Sequence, residues 1–192
     1  MKRPVPLLLL SALLPCFGCG AARYAWELGL VEPGPAEPMV YENTDVLVKF
    51  SLFKNRWRND QLAFSVLNKT KSALTIDWDR CAFVDTTGES HRIYHRSTHA
   101  HRSEALKAPI VIPPGATIRS GIYVATDVHS AAQGLNMFLP GRPKGDYVGQ
   151  RFSLFMPIRS ESAVTEYRFV FRVDEVYVVR GSSRKPAKRS PD

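Results

Sequence analysis

The chain has 192 residues, of which 44% are hydrophobic and 23% charged, and its formal net charge is +8. That composition supports one globular core of ~100–150 residues with terminal extensions. The basic excess is local: 180–192 holds five basic residues and one acidic (+4), and 91–107 holds Arg92, Arg96, Arg102 and Lys107 against Glu104 (+3). A tail and one loop, with no accompanying aromatic platform, argue against a nucleic-acid partner.

In chain order, Met1-Lys2-Arg3-Pro4 is a short positive segment and 5–14 an apolar run. The run has the length of a signal-peptide core and is too short to span a bilayer as a helix. Cys16-Phe17-Gly18-Cys19-Gly20 follows and resembles the lipobox of bacterial lipoproteins. There a small residue precedes a cysteine that receives diacylglycerol and becomes the mature N-terminus. The resemblance implies removal of 1–18, lipid attachment at Cys19 and a membrane partner reached through that lipid. Gly20 in place of aspartate points to the outer membrane by the sorting rule known for some bacteria. The competing route is a conventional cut near Ala21-Ala22-Arg23, which would leave a secreted protein. With Cys16 lost and Cys19 alkylated, Cys81 remains alone, which excludes an internal disulfide and a cysteine-based zinc site. Beside Phe83 in an apolar run, Cys81 is expected as a small buried hydrophobe.

Residues 19–43 contain Pro33-Gly34-Pro35, Pro38 and four glutamates. They read as a tether, with a short ordered piece around Tyr24-Ala25-Trp26. The folded domain is expected over 44–179. Val46, Val48, Phe50 and Leu52 alternate as its first strand, and 55–60 is a polar turn around Trp57. Leu62, Phe64 and Val66 resume the alternation until Asn68-Lys69-Thr70-Lys71 breaks it. Leu74, Ile76 and Trp78 then share one face, which places Trp78 in the core beside Phe64, Phe83 and Phe169, with Asp77 and Asp79 turned away.

A strand over 81–84 turns at Thr86-Thr87-Gly88 and returns over 90–94, with glycine supplying the positive φ. Ile110-Val111-Ile112 stops at Pro113-Pro114-Gly115, where two backbone donors are missing. Residues 128–149 are rich in glycine and proline and long for a loop, the profile of a functional or partly mobile segment. Phe152, Leu154, Met156 and Ile158 alternate, as do Tyr167, Phe169, Phe171 and Val173, with 176–179 as an extension. Seven to nine short strands without a helix predict an all-β fold: a single antiparallel β-sandwich of immunoglobulin-like type. Residues 180–192 read as a disordered basic tail.

The segments Asn68-Lys69-Thr70, 76–79 (IDWD), 83–85 (FVD), 88–93 (GESHRI) with His95, and 112–115 (IPPG) together resemble a group of uncharacterised bacterial lipoproteins with a β-rich periplasmic domain. The likeness covers roughly 62–128, more weakly 150–173. It implies location and fold, and no assigned activity.

Four histidines lie at 91, 95, 99 and 101. On a strand, His91 and His95 share a face but stand ~13 Å apart, too far for one metal ion. His99 and His101 are the weak metal candidates, since Arg92, Arg96 and Arg102 would repel a cation. The same cations suit an anion, so Arg92, His95, Arg96 and Arg102 are the candidate site for an anionic lipid or an acidic envelope partner. Alternatively, Asp77, Asp79 and Asp85 fix Arg80 and Arg92 in a structural network, and His91 bonds a neighbour on the sheet. Ser90 and His91 are adjacent and point to opposite faces, so they cannot act as nucleophile and base. No cofactor motif is present. The expectation is therefore an envelope lipoprotein acting as a binding or structural module and facing the periplasm. The alternative is an envelope hydrolase or metal-dependent enzyme using the 91–101 histidines.

Overall fold

The structure is a computed structural model, which describes residues 23–34, 39–53, 61–95, 108–124, 144–161, 163–180 and 183–186. Among these residues there are twelve strands. They are β1 (Arg23–Glu32), β2 (Val40–Glu42), β3 (Val46–Phe53), β4 (Gln61–Asn68), β5 (Leu74–Ile76), β6 (Ala82–Val84), β7 (Ser90–His95), β8 (Ile110–Ile112), β9 (Thr117–Val124), β10 (Arg151–Arg159), β11 (Val164–Arg180) and β12 (Ser183–Pro186). Two 3-10 turns, Trp78–Arg80 and Lys144–Tyr147, complete the described elements. None of the described helices is long and apolar enough to cross a membrane.

Two antiparallel sheets pack together. One holds β2, β3, β4 and β9 in order. The other centres on β11 and β10, with β1 on the far edge of β11 and the interrupted strand β5–β6 on the far edge of β10. β5 and β6 then pair with β8 and β7 respectively. β7 crosses between the sheets: 90–92 pair with β6, and 93–95 pair with β9.

The period-two alternation of apolar residues gives each sheet one face to bury. Val46, Val48 and Phe50 on β3 and Leu62, Phe64 and Val66 on β4 meet Phe169, Phe171 and Val173 on β11. Phe50 stands edge-on to Phe169 and Phe171, with centroids 4.9 and 5.0 Å away, the T-shaped arrangement aromatic quadrupoles favour. Trp78 lies beside Phe64 with centroids 5.6 Å apart and is 1% exposed. It does not continue the strand. Asp77 accepts a hydrogen bond from the Asp79 amide and caps a 3-10 turn, which keeps Trp78 inward while removing 77–81 from the ladder.

That interruption also accommodates a proline. β10 pairs with β6 through 153–155 and with β5 through 158–159, so Pro157 sits where the ladder on that side is already broken and a missing donor costs least. β10 is buried at 152–154 and 156–158, beyond strict alternation. On its outer face Phe155 is covered by the Arg168 guanidinium, 5.7 Å from the ring centroid.

Asn68 ties two turns to each other. Wholly buried at the end of β4, it donates through Nδ2 to the carbonyls of Ser72 (2.8 Å) and Ile112 (2.9 Å). Its Oδ1 accepts from the amide and the hydroxyl of Thr70, both at 2.8 Å. Its backbone carbonyl accepts from the Gly115 amide at 2.9 Å, and Gly115 takes a φ of +70° that glycine adopts without strain.

Two expectations about the flanks are overturned. The 19–43 span is not simply a tether, because β1 and β2 lie inside it and Trp26 and Leu30 are buried in the core. The physical reason is β11, whose edge away from β10 would be left unpaired over 170–179 without β1. The 180–192 tail is likewise ordered in part, since β12 folds back on 177–180.

Candidate functional site

Where β6 turns into β7, polar groups converge. Asp85 is 7% exposed, and its carboxylate organises the hairpin. Oδ1 accepts from the Thr87 amide (2.8 Å), the Thr87 hydroxyl (2.6 Å) and the Glu89 amide (3.0 Å). Oδ2 lies 2.9 Å from His91 Nε2. Asp85 is an Asx-type turn former whose chemistry suits this position, and Gly88 supplies the positive φ (+89°) that closes the loop. Burial pushes the Asp85 carboxyl upward, but the hydrogen bonds from Thr87, His91 and the Glu89 amide outweigh it and hold the group below the ordinary aspartate value.

Asp85, Glu89 and His91 are the one group of metal-ligating side chains that converges among the described residues, with ligand atoms within 4.8 Å of one another. Their geometry is that of a hydrogen-bonded pair. Two ligands of one tetrahedral zinc ion stand ~3.3 Å apart when each is ~2.0–2.1 Å from it, whereas Asp85 and His91 touch at 2.9 Å. Oδ1 already accepts three bonds.

Of the sequence-predicted residues, Arg92 is exposed on β7 opposite Ala82. His95 ends the same strand, its backbone in register with Ile122. Arg96, His99, His101, Arg102 and Cys19 lie outside the described residues. The expected bond between His91 and a neighbour on the sheet is present, and the neighbour is Asp85. The proposed carboxylate network around Arg80 and Arg92 takes another form: Asp77 caps the 3-10 turn, Asp85 holds His91, and Arg80 pairs with Glu166 at 3.6 Å on an exposed surface. Cys81 is buried, and its thiol donates to the Asp77 carbonyl at 3.3 Å.

The Asp85–His91 pair had a readable signal in the sequence. Asp-Thr-Thr-Gly is turn chemistry, and a six-residue separation across such a turn brings a strand end beside the second residue of the returning strand.

No protein-family model matches the chain, and neither a curated protein nor a solved structure does.

Proposed function

We propose that the chain is a lipid-anchored protein of the bacterial envelope, attached through Cys19 and facing the periplasm, whose β-sandwich is a binding or structural module. The observation that carries this reading is the leader itself: a positive start, an apolar run of signal-peptide length, and Gly18-Cys19. The resemblance of 62–128 to envelope lipoproteins favours the same location, and Gly20 favours the outer membrane.

A module is favoured over an enzyme by the hairpin geometry. His91 is held by a carboxylate that also fixes three donors of the same turn, an arrangement that stabilises a loop. Arg92, His95, Arg96 and Arg102 are the proposed contact for an anionic or acidic partner. An immunoglobulin-like arrangement belongs to the same proposal, supported by a first segment divided between the sheets as β1 and β2 and by β7 crossing from one to the other. Membrane fractionation tests the anchor. The wild-type chain is expected in the membrane fraction and Cys19→Ser in the soluble fraction; equal membrane retention of the variant would count against it.

A further inference from the structure

In an antiparallel pair, residues directly opposite each other put their side chains on the same face of the sheet. The register of β11, β10, β6 and β7 therefore lines up Arg168, Phe155, Ala82 and Arg92 in one row of the outer face. Arg168 and Arg92 stand exposed at its two ends. Two rows further along the same face, Arg151 is opposite Arg172. At ~4.8 Å between strands and ~3.4 Å per residue, Arg92, Arg151 and Arg168 mark a triangle with sides of ~14–17 Å. The floor between them is small and mostly apolar: Phe155, Ala82, Val84 and the buried Ser153.

Among the described residues, Arg172 is held by Asp174 at 2.7 Å and Arg80 by Glu166 at 3.6 Å, whereas Arg92, Arg151 and Arg168 form no ion pair. Like charges directly opposite each other destabilise a ladder, yet Arg151 faces Arg172 with only the latter neutralised. Arg168 is set in place differently, its guanidinium lying 5.7 Å from the Phe155 ring centroid. That contact orients the fork and leaves its donors free for a ligand.

From this arrangement we infer that the outer face of β11, β10, β6 and β7 binds an acidic segment of a protein partner, whose separated carboxylates take Arg92, Arg151 and Arg168 across the Phe155 floor. The inference rests on the reading of Arg92 as part of an anion contact and extends that contact onto the sheet. Guanidinium forks receive carboxylates bidentately. In an extended segment, carboxylates four residues apart stand ~13 Å from each other, close to the separation of Arg92 and Arg168. The border of the patch favours a narrow partner over a bilayer. Glu32, opposite Val170, and Glu166, opposite Pro157, are exposed on the same face, so a continuous anionic plane would meet them too, while a single segment runs between them.

The test uses the mature chain carrying Cys19→Ser and a fluorescein-labelled oligoglutamate peptide, followed by anisotropy. Salt-sensitive binding is expected, and none to an oligolysine peptide. Arg151→Gln/Arg168→Gln should weaken binding by roughly 25-fold, about fivefold for each exposed pair lost, because sites this far apart add. The control Lys49→Gln/Arg119→Gln removes two exposed charges from the outer face of the other sheet and should leave the affinity unchanged. Arg151→Gln relieves the repulsion from Arg172, so its denaturation midpoint should not fall, which separates lost binding from lost folding. Phosphatidylglycerol vesicles should not displace the peptide. Absence of binding, equal loss in the control, or displacement by the vesicles would overturn the inference. Arg96→Gln/Arg102→Gln reads the loop separately: loss there alone, with Arg151→Gln/Arg168→Gln binding as wild type, would overturn the sheet face and leave the loop contact standing.

Discussion

Removing the Asn68 side chain, wholly buried and hydrogen-bonded through both its amide groups, should destabilise the domain markedly. In Asn68→Ala the Ser72 carbonyl keeps a donor, the Thr70 hydroxyl at 2.8 Å. The Ile112 carbonyl loses its bond to Nδ2 in a buried setting, and the Thr70 amide loses its acceptor. Each buried polar group left without its partner costs ~1–3 kcal/mol; the Thr70 amide, only part-buried, sits at about 1, so the two together cost about 2–4 kcal/mol, out of a domain stability of ~5–15 kcal/mol. With a urea slope of ~2 kcal/mol/M, the midpoint should fall by ~1–2 M. Asn68→Asp keeps the shape but turns a carboxylate oxygen toward two carbonyls, so at neutral pH it should be the worse variant. The introduced carboxylate would have a native-state pKa raised above its unfolded value. Its deficit relative to wild type is therefore smallest below the unfolded pKa and grows as pH rises through the native one. Urea titrations of the mature chain, followed by tryptophan fluorescence, measure all of this. A midpoint shift under ~0.3 M for Asn68→Ala would refute the reasoning, because it would mean that these bonds contribute less than ~1 kcal/mol together.

Trp78→Ala should cost ~3–5 kcal/mol, since a wholly buried indole is deleted against Phe64; the denaturation midpoint and the quenching of Trp78 in a Trp26→Phe/Trp57→Phe background check it, and a readily quenched, red-shifted indole would contradict it. Asp85→Asn should lower stability at neutral pH. Because the native Asp85 pKa is lowered, the ionic contribution is present above the unfolded value and is lost as pH falls through the native one, so wild type and variant should converge on acidification. A gap independent of pH would contradict this. Gly29→Ala places a Cβ 2.6 Å from Asp174 Oδ2, but that atom ends a side chain in an exposed pair with Arg172. The carboxylate can rotate away, and the loss should stay below ~1 kcal/mol, as thermal denaturation would show; a larger drop would mean that β1 itself is displaced.

The interior strands were legible because their signal is local. Period-two runs at 46–52, 62–66, 152–158 and 167–173 mark a half-buried sheet, and Thr87-Gly88 and Pro113-Pro114-Gly115 mark where chains turn. What escaped depended on partners distant in sequence. Trp26, Leu28 and Leu30 alternate too, yet their environment of glutamates and prolines reads as linker; only the long edge of β11 makes them a strand. Gly181-Ser182 has the composition of a two-residue hairpin turn, but the basic residues after it read as a tail until β11 is extended far enough to pair with them. The 3-10 turn was hidden because Trp78 keeps the parity of Leu74 and Ile76 either way. Asn68 is the clearest case: the turn after it is local, while its bond to Ile112 spans 44 residues and has no sequence signal. The Asp85–His91 pair sits between these extremes, readable once the hairpin register is known.

The central claim, a folded β domain held at a membrane by Cys19, is tested most directly by the mass of the N-terminal peptide from protein purified out of its native envelope. The account predicts a mature chain that begins at Cys19 and carries covalently bound diacylglycerol, with β1 starting four residues later. An unmodified N-terminus at Arg23 or nearby would contradict it.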